Sequence, residues 1–291
     1  MKRIVSYLIA LGLIGLTGLT VGVFAQEPLN PAARESIQLG EARIAEAQAA
    51  GIPAFPDRPL WRDAIALGRE AVRQAPGRSE PLRFLAKAYT LTRWYFPAWR
   101  TWLEYLQVGG SLDREAQEWF VLVGNELGFT SYHRGDFEQA LAYYLQVIDR
   151  VPGHLEAYIW AGRILIETGR PAQAIPYWQE VVTRDPVDRR AAYFLELARD
   201  QARWGISAVN AFREGVSAHE VGNLSLARER FARATTANPD YAAAWAWLGR
   251  VAFEQGHYRD AATFYDRARR LEPTNEAYQF FYRESRRLAG D

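Results

Sequence analysis

Small, aromatic and proline residues recur along the chain with a period of 34 residues. Gly128 returns as Gly162, Ala140 as Ala174 and Pro152 as Pro186. Further on, Gly215 returns as Gly249, Ala227 as Ala261, Phe231 as Tyr265, Ala234 as Ala268 and Pro239 as Pro273. Between these marks apolar residues fall three and four apart, the spacing of one helix face. In the last unit Trp245, Leu248, Gly249 and Ala252 share a face of a first helix, Gly256-His257 makes a turn, and Ala261, Phe264, Tyr265 and Ala268 line a second. Pro273 then closes the unit, because proline cannot continue a helix. Glycine and alanine at facing positions let the paired helices approach, and the aromatic rings fill what remains. One pair cannot bury its apolar face alone, so neighbouring pairs must stack. The pattern therefore predicts an all-α chain, an α-solenoid of antiparallel helix pairs.

Breaks in the period predict the organisation. Residues 1–25 read as a leader and 26–60 as an N-terminal helix (32–50) followed by a proline-rich loop, Gly51 to Pro59, in a degenerate first repeat. A second helix spans 61–75 and stops at Pro76-Gly77. Residues 61–188 form a first sub-array, within which helix 113–134 runs about two turns longer than its counterparts. An extra helix over 189–205, ending near Trp204-Gly205, separates it from a second sub-array, 206–275. Residues 276–291 are a capping helix that exposes Arg283, Arg286 and Arg287. Pro176 lies inside a predicted helix and should kink it.

The stretch Trp245-x-x-Leu248-Gly249 with Ala261, Tyr265, Ala268 and Pro273 resembles the tetratricopeptide repeat. Leu127-Gly128, Ala140, Tyr144 and Pro152 carry the same pattern, as do Gly162, Ala174, Trp178 and Pro186, and Gly215, Ala227, Phe231, Ala234 and Pro239. Residues 79–112 are a weaker unit with Leu82, Leu85-Ala86, Tyr89, Ala98 and Trp102. Gly124, Glu214 and Gly110 stand where the family usually has a large aromatic, a leucine and a proline. The match spans roughly 79–275. It implies a concave surface lined by the first helix of each pair, which in this family usually holds a peptide or a partner-protein helix. The family's best-known ligand mode clamps a C-terminal carboxylate with lysine and asparagine. The groove positions here hold Arg83, Lys87, Asn125, Phe129, Trp160 and Arg163, not that set in order, so a chaperone-tail receptor is not predicted.

Composition narrows the function further. The 291 residues are 49% apolar and carry 35 basic against 34 acidic side chains, net +1, with no cysteine. Disulfides, thiolate metal sites, cysteine nucleophiles and cysteine-linked lipid anchors are excluded, and a near-neutral charge without a basic cluster speaks against nucleic acid. Lys2 and Arg3 precede an uncharged, mostly apolar run from Ile4 to Phe24, and Val23-Phe24-Ala25 offers a signal-peptidase site before Gln26. The same run is long enough to be an uncleaved membrane anchor. Either way the remainder is expected outside the cytoplasm, periplasmic in a bacterium, with the membrane touched only through this segment.

No catalytic constellation emerges, and no cofactor or metal site is expected. His133, His154, His219 and His257 have no second histidine at helical spacing. The string His219-Glu220 fails as a zinc-protease motif at Asn223, and Gly215-Val216-Ser217-Ala218-His219 lacks the closing glycine of a nucleophile elbow. Asn223-Leu224-Ser225 is formally a glycosylation acceptor, placed in an interhelix turn. Trp160 precedes Gly162 by two residues and Trp247 precedes Gly249 by two. Since the glycines mark the tightly packed face, about 100° per residue turns each tryptophan roughly 200° away, to the open side. Arg163 and Arg250, three residues on, sit beside them. Phe84, Phe129, Tyr132 and Arg213 should share that side by the same spacing, and Arg83 is a further groove position. These residues are read as anchors for a partner segment; the competing reading is a cation–π pair that satisfies itself or a tryptophan packed on the neighbouring unit. The sequence thus predicts a non-catalytic protein–protein interaction scaffold of the bacterial cell envelope, holding a peptide or partner protein in its groove. The alternative is a structural subunit of a pilus, secretion or outer-membrane assembly, with no free peptide ligand and with apolar residues exposed on the convex face.

Overall fold

The computed structural model describes residues 28–290; the leader read over residues 1–25 lies outside them. The described residues form fourteen helices and no strand. They pair in chain order: α1 (Pro31–Ala49) with α2 (Pro59–Gln74), α3 (Ser79–Leu91) with α4 (Tyr95–Gln107), α5 (Arg114–His133) with α6 (Phe137–Arg150), and α7 (Leu155–Glu167) with α8 (Pro171–Arg184). Next, α9 (Arg189–Trp204) packs on α8 without a second helix of its own. Pairing resumes with α10 (Ile206–Glu220) and α11 (Leu224–Ala237), then α12 (Ala242–Glu254) and α13 (Tyr258–Leu271), and α14 (Glu276–Ala289) packs on α13. The pairs stack into a superhelix, as the period predicts.

The turns explain the sharp ends. Gly169 and Gly256, between the helices of two pairs, both take φ 76, a left-handed conformation that a side chain would strain. Asp136 and Asn223 follow such glycines and cap α6 and α11, their side-chain oxygens accepting from the backbone N–H of Gln139 and Leu226. The acceptor-like Asn223 is thus a helix cap. Pro176 lies in the second turn of α8, which is one continuous helix over its 14 residues. At 20 residues α5 exceeds the 13 of α7 by two turns, and the extension stacks Phe120 on Trp99 at 4.6 Å.

One packing unit recurs through the core and was not read from the sequence. A glycine on a first helix meets an aromatic ring 16 residues later on its partner, and that ring's other face meets an aromatic 16 residues further, on the next first helix. Gly128, Tyr144 and Trp160 form one such sandwich, its rings 5.7 Å apart and 4° from parallel. Gly162, Trp178 and Phe194 form the second, at 4.8 Å and 17°. Gly215, Phe231 and Trp247 form the third, at 5.3 Å and 27°, and Gly249, Tyr265 and Phe281 the fourth, at 5.3 Å and 16°. Each stacked pair contributes about 0.5–1.5 kcal/mol beyond the area it buries. By this measure α9 and α14 hold first-helix positions, and among the described residues neither is followed by a second helix of its own: Phe194 and Phe281 occupy the place of Trp160 and Trp247. The run α6–α9 is repeated by α11–α14 at an offset of 87 residues, Leu224 opening α11 as Phe137 opens α6 and Glu276 opening α14 as Arg189 opens α9.

Two expectations are corrected by this packing. Phe84 is not on an open face; it is 5% exposed. The middle ring of the sandwich is missing here, because the position 16 residues before Phe84 is Gly68. Its ring therefore passes over Gly68 and reaches Gly40, where a Cβ could not fit beside it. Trp160 and Trp247 do point away from their own partner helix, but the surface they meet is the preceding pair, and both are half-buried against it.

Candidate partner-binding surface

First helices touch one another along a single face, and most groove residues named from the sequence meet there. At its N-terminal end Arg83 on α3 donates to Asp113 at 2.5 Å and to Glu115 on α5 at 3.0 Å, and Lys87 donates to Glu115 at 2.6 Å. The Arg83 hydrogen bond holds Asp113 below the usual carboxylate range, and the Lys87 bond does the same for Glu115 against the opposing effect of burial. A cleft of about 600 Å³ opens beside them between α1 and α3, with Ile37 and Phe84 in its wall.

Further along, the same four-residue cluster occurs twice. In the first copy the Arg163 guanidinium lies 5.2 Å from both the Trp160 and the Tyr132 ring centres, and its Nε donates to Glu167 at 2.8 Å. The Tyr132 hydroxyl donates to the same carboxylate at 2.6 Å, and burial followed by that bond raises its pKa. In the second copy Arg250 lies 4.8 Å over Trp247 and donates to Glu254 at 2.9 Å, while His219 takes the place of Tyr132, its Nε2 2.8 Å from Glu254. Burial pushes the Glu254 carboxyl up, but the bonds from Arg250 and His219 outweigh it and leave the group below its ordinary value. Both clusters are internally satisfied, so they present shape rather than free charge. Exposed pairs of this kind contribute about 0–1 kcal/mol each.

Exposure picks out a different set of side chains. Phe129 on α5 is 46% exposed, its ring 5.7 Å from Trp160. Tyr193 on α9 is 47% exposed and lies 4.4 Å beneath the guanidinium of Arg213 on α10. Phe280 on α14 is 54% exposed, with its ring 5.3 Å from Phe281. All three sit on first helices; Phe129 and Tyr193 border the next first helix, and Phe280 borders the stacked ring of its own helix. Sequence reasoning finds Phe129 and Arg213 but not Tyr193 and Phe280, because the break in the period reads α9 as a separator and α14 as a cap. Counting 34 from Trp160 and Trp247 reaches Phe194 and Phe281 and marks both helices as first helices.

A tetratricopeptide-repeat family model matches residues 132–189, 161–198 and 212–276. Residues 132–198 and 212–276 carry tetratricopeptide repeats. Among solved structures it is similar to a tetratricopeptide-repeat protein of Parabacteroides merdae, at 14% identity over 88% of this chain and 99% of that one, with a TM-score of 0.38. It is also similar to YrrB, described as a repeat protein with an unusual peptide-binding site, at 16% identity over 73% and 96% of the two chains and a TM-score of 0.31. For PilF of Pseudomonas aeruginosa the identity is 17% over 87% and 97%, with a TM-score of 0.31. No curated protein matches the sequence. Proteins built from tetratricopeptide repeats are generally protein–protein interaction scaffolds and usually non-catalytic.

Within these repeats the histidines have local partners. His154 stands before α7 at 3.0 Å from Asn125, and burial lowers its pKa; His133 packs its ring 4.2 Å from Phe129. Among the described residues no repeat groups three or more histidine, aspartate or glutamate side chains as a metal would need, and no helix is long and apolar enough to cross a membrane.

Proposed function

We propose that this chain is a non-catalytic scaffold of the bacterial cell envelope that holds a peptide segment or partner protein along its first-helix face. The observation that carries the reading is the row of exposed aromatics, Phe129, Tyr193 and Phe280, on that one face. Large rings left open on a rigid surface are the groups that dominate interface energetics. The half-buried Trp160 and Trp247 with their arginines form the floor beside them. Export is inferred from the positive start and apolar run over residues 2–24. Recovery of a chain beginning at Gln26 in a periplasmic fraction supports it, and recovery of the intact chain in the cytosol overturns it. Replacing Phe129, Tyr193 and Phe280 together with serine should leave helicity unchanged and abolish capture of the partner; full capture by the folded triple variant would overturn the groove.

A second reading, that of a structural subunit in an envelope assembly, is favoured by Phe96. It lies in the first turn of α4, the second helix of its pair, and is 57% exposed, near the N-cap Trp94 at 41%. Apolar residues on the second-helix side are what burial within a larger assembly would require.

A further inference from the structure

We infer that two copies of this chain associate through α14, antiparallel about a two-fold axis, with Phe280 of each copy covered by Arg287 of the other. This goes beyond the groove reading and does not depend on it. A helix that ends a stack of repeats should be polar on its outer side. α14 is not: Phe280, Phe281 and Leu288 are three of the twelve large apolar side chains exposed among the described residues. Its orientation is fixed by Ser285, its one buried residue, which faces α13. At about 100° per residue, Arg283 and Arg287 point roughly 200° away from Ser285, and Phe280 roughly 140° away. Phe280, Arg283, Glu284 and Arg287 therefore lie together on the side turned from α13.

What covers such a stripe is seen 87 residues earlier. Tyr193 is the counterpart of Phe280, and α10 covers it: the Arg213 guanidinium lies 4.4 Å from the ring centre, and Asp200 on α9 attracts it. Gln201 meets Asn210 and Tyr193 meets Arg213, contacts that nest about Gly205, so α10 runs back along α9. An exposed ring at this position is thus covered by an antiparallel helix that brings an arginine. α14 is itself such a helix. Set antiparallel to a second copy about an axis beside Arg283 and Glu284, it receives that copy's Arg287 over Phe280, and symmetry repeats the contact at the other end. Each Arg287 arrives with a carboxylate of its own, since Glu284 accepts from it at 2.6 and 2.8 Å. The same register sets Arg283 of each copy against Glu284 of the other. No described carboxylate pairs with Arg283 within one copy, so the face is complementary in charge to itself. Tyr193 stays 47% exposed beneath Arg213, so a ring covered in this way keeps an open edge to the groove. The contact is one helix face about 21 Å long, shorter than a permanent complex needs, so monomer and dimer exchange with concentration.

Sedimentation velocity of the full chain over a rising concentration series tests this. The inference predicts a monomer that passes to a dimer and, because a two-fold contact closes on itself, to no larger species. Arg283→Glu alone and Glu284→Arg alone each set like charges together at both ends and should weaken the dimer at least roughly tenfold. Mixing the two variants should restore it as a heterodimer, because each contact then joins opposite charges, and a chain carrying both substitutions should dimerise for the same reason. A monomer at every concentration, a dimer untouched by either charge reversal, or a mixture that stays monomeric overturns the inference. If Glu284→Arg does not fold, Arg287→Glu, at an exposed position, carries the comparison, and undiminished dimerisation of that variant overturns it. Phe129→Ser and Tyr193→Ser, in the groove, should leave the dimer unchanged; its loss in them would place the contact in the groove and overturn the assignment to α14.

Discussion

Trp160 shows what helical arithmetic reaches and where it stops. Two residues from Gly162 do turn its side chain away from α8, as the spacing states, but in a stacked array the opposite side of a first helix belongs to the preceding pair. Its ring lies nearly parallel to Tyr144, 5.7 Å away. Trp160→Ala should therefore cost about 2–4 kcal/mol in urea unfolding, toward the core range for a large aromatic, whereas Phe129→Ser should stay within about 0.5 kcal/mol. Equal effects would mean that the floor and the rim have been assigned the wrong way round. A second residue-scale expectation concerns Asp200 on α9. Burial, reinforced by Glu196, raises its pKa against the pull of Arg213 and Arg203. A carboxylate with a raised folded pKa lowers stability while it is charged, and the penalty fades as pH falls through the folded value toward the ordinary value of about 3.9. Asp200→Asn should raise the melting temperature at pH 7 and lose that advantage near pH 3.5. A constant difference across that range would contradict the assignment.

At the scale of elements, the first-helix glycines are gaps that rings occupy. A Cβ on Gly162 would lie 2.6 Å from Nε1 of Trp178, and one on Gly128 2.7 Å from Cζ of Tyr144. Both rings are backed by a second aromatic and cannot retreat. Gly162→Ala should destabilise by about 1–3 kcal/mol through overpacking. Gly153→Ala, where nothing lies within 4 Å, should be near neutral in the same thermal-unfolding series. The helix pairs were legible because the contacts that make them are local in sequence: the glycine, the alanine and the ring recur at fixed intervals within one unit. The fate of Phe84 was not, since it depends on Gly40, and the inserted loop between α1 and α2 takes Gly40 out of the repeat's numbering. The status of α9 and α14 was misread for a related reason. Among the described residues neither is followed by a second helix of its own, so a search for pairs sets it aside, although Phe194 and Phe281 hold first-helix positions.

Across the whole molecule, satisfied and unsatisfied surface separate along the first-helix face. Arg83, Arg163 and Arg250 are paired with carboxylates, and Trp160 and Trp247 are stacked. The groove residues most conspicuous in the sequence are thus largely spoken for by the fold, while Phe129, Tyr193 and Phe280 remain open. Composition cannot separate these two groups, because a ring that closes an interface and a ring that awaits a partner are the same residue type; only the neighbour across the stack distinguishes them. Phe96 on the second-helix side is the competing surface. Site-specific photo-crosslinking in intact cells sets the two against each other, with the reactive side chain placed in turn at Phe129, Tyr193, Phe280 and Phe96. The groove account predicts crosslinks to one protein from the first three positions and none from Phe96. Crosslinks from Phe96 alone would contradict it and make the second-helix side the interface.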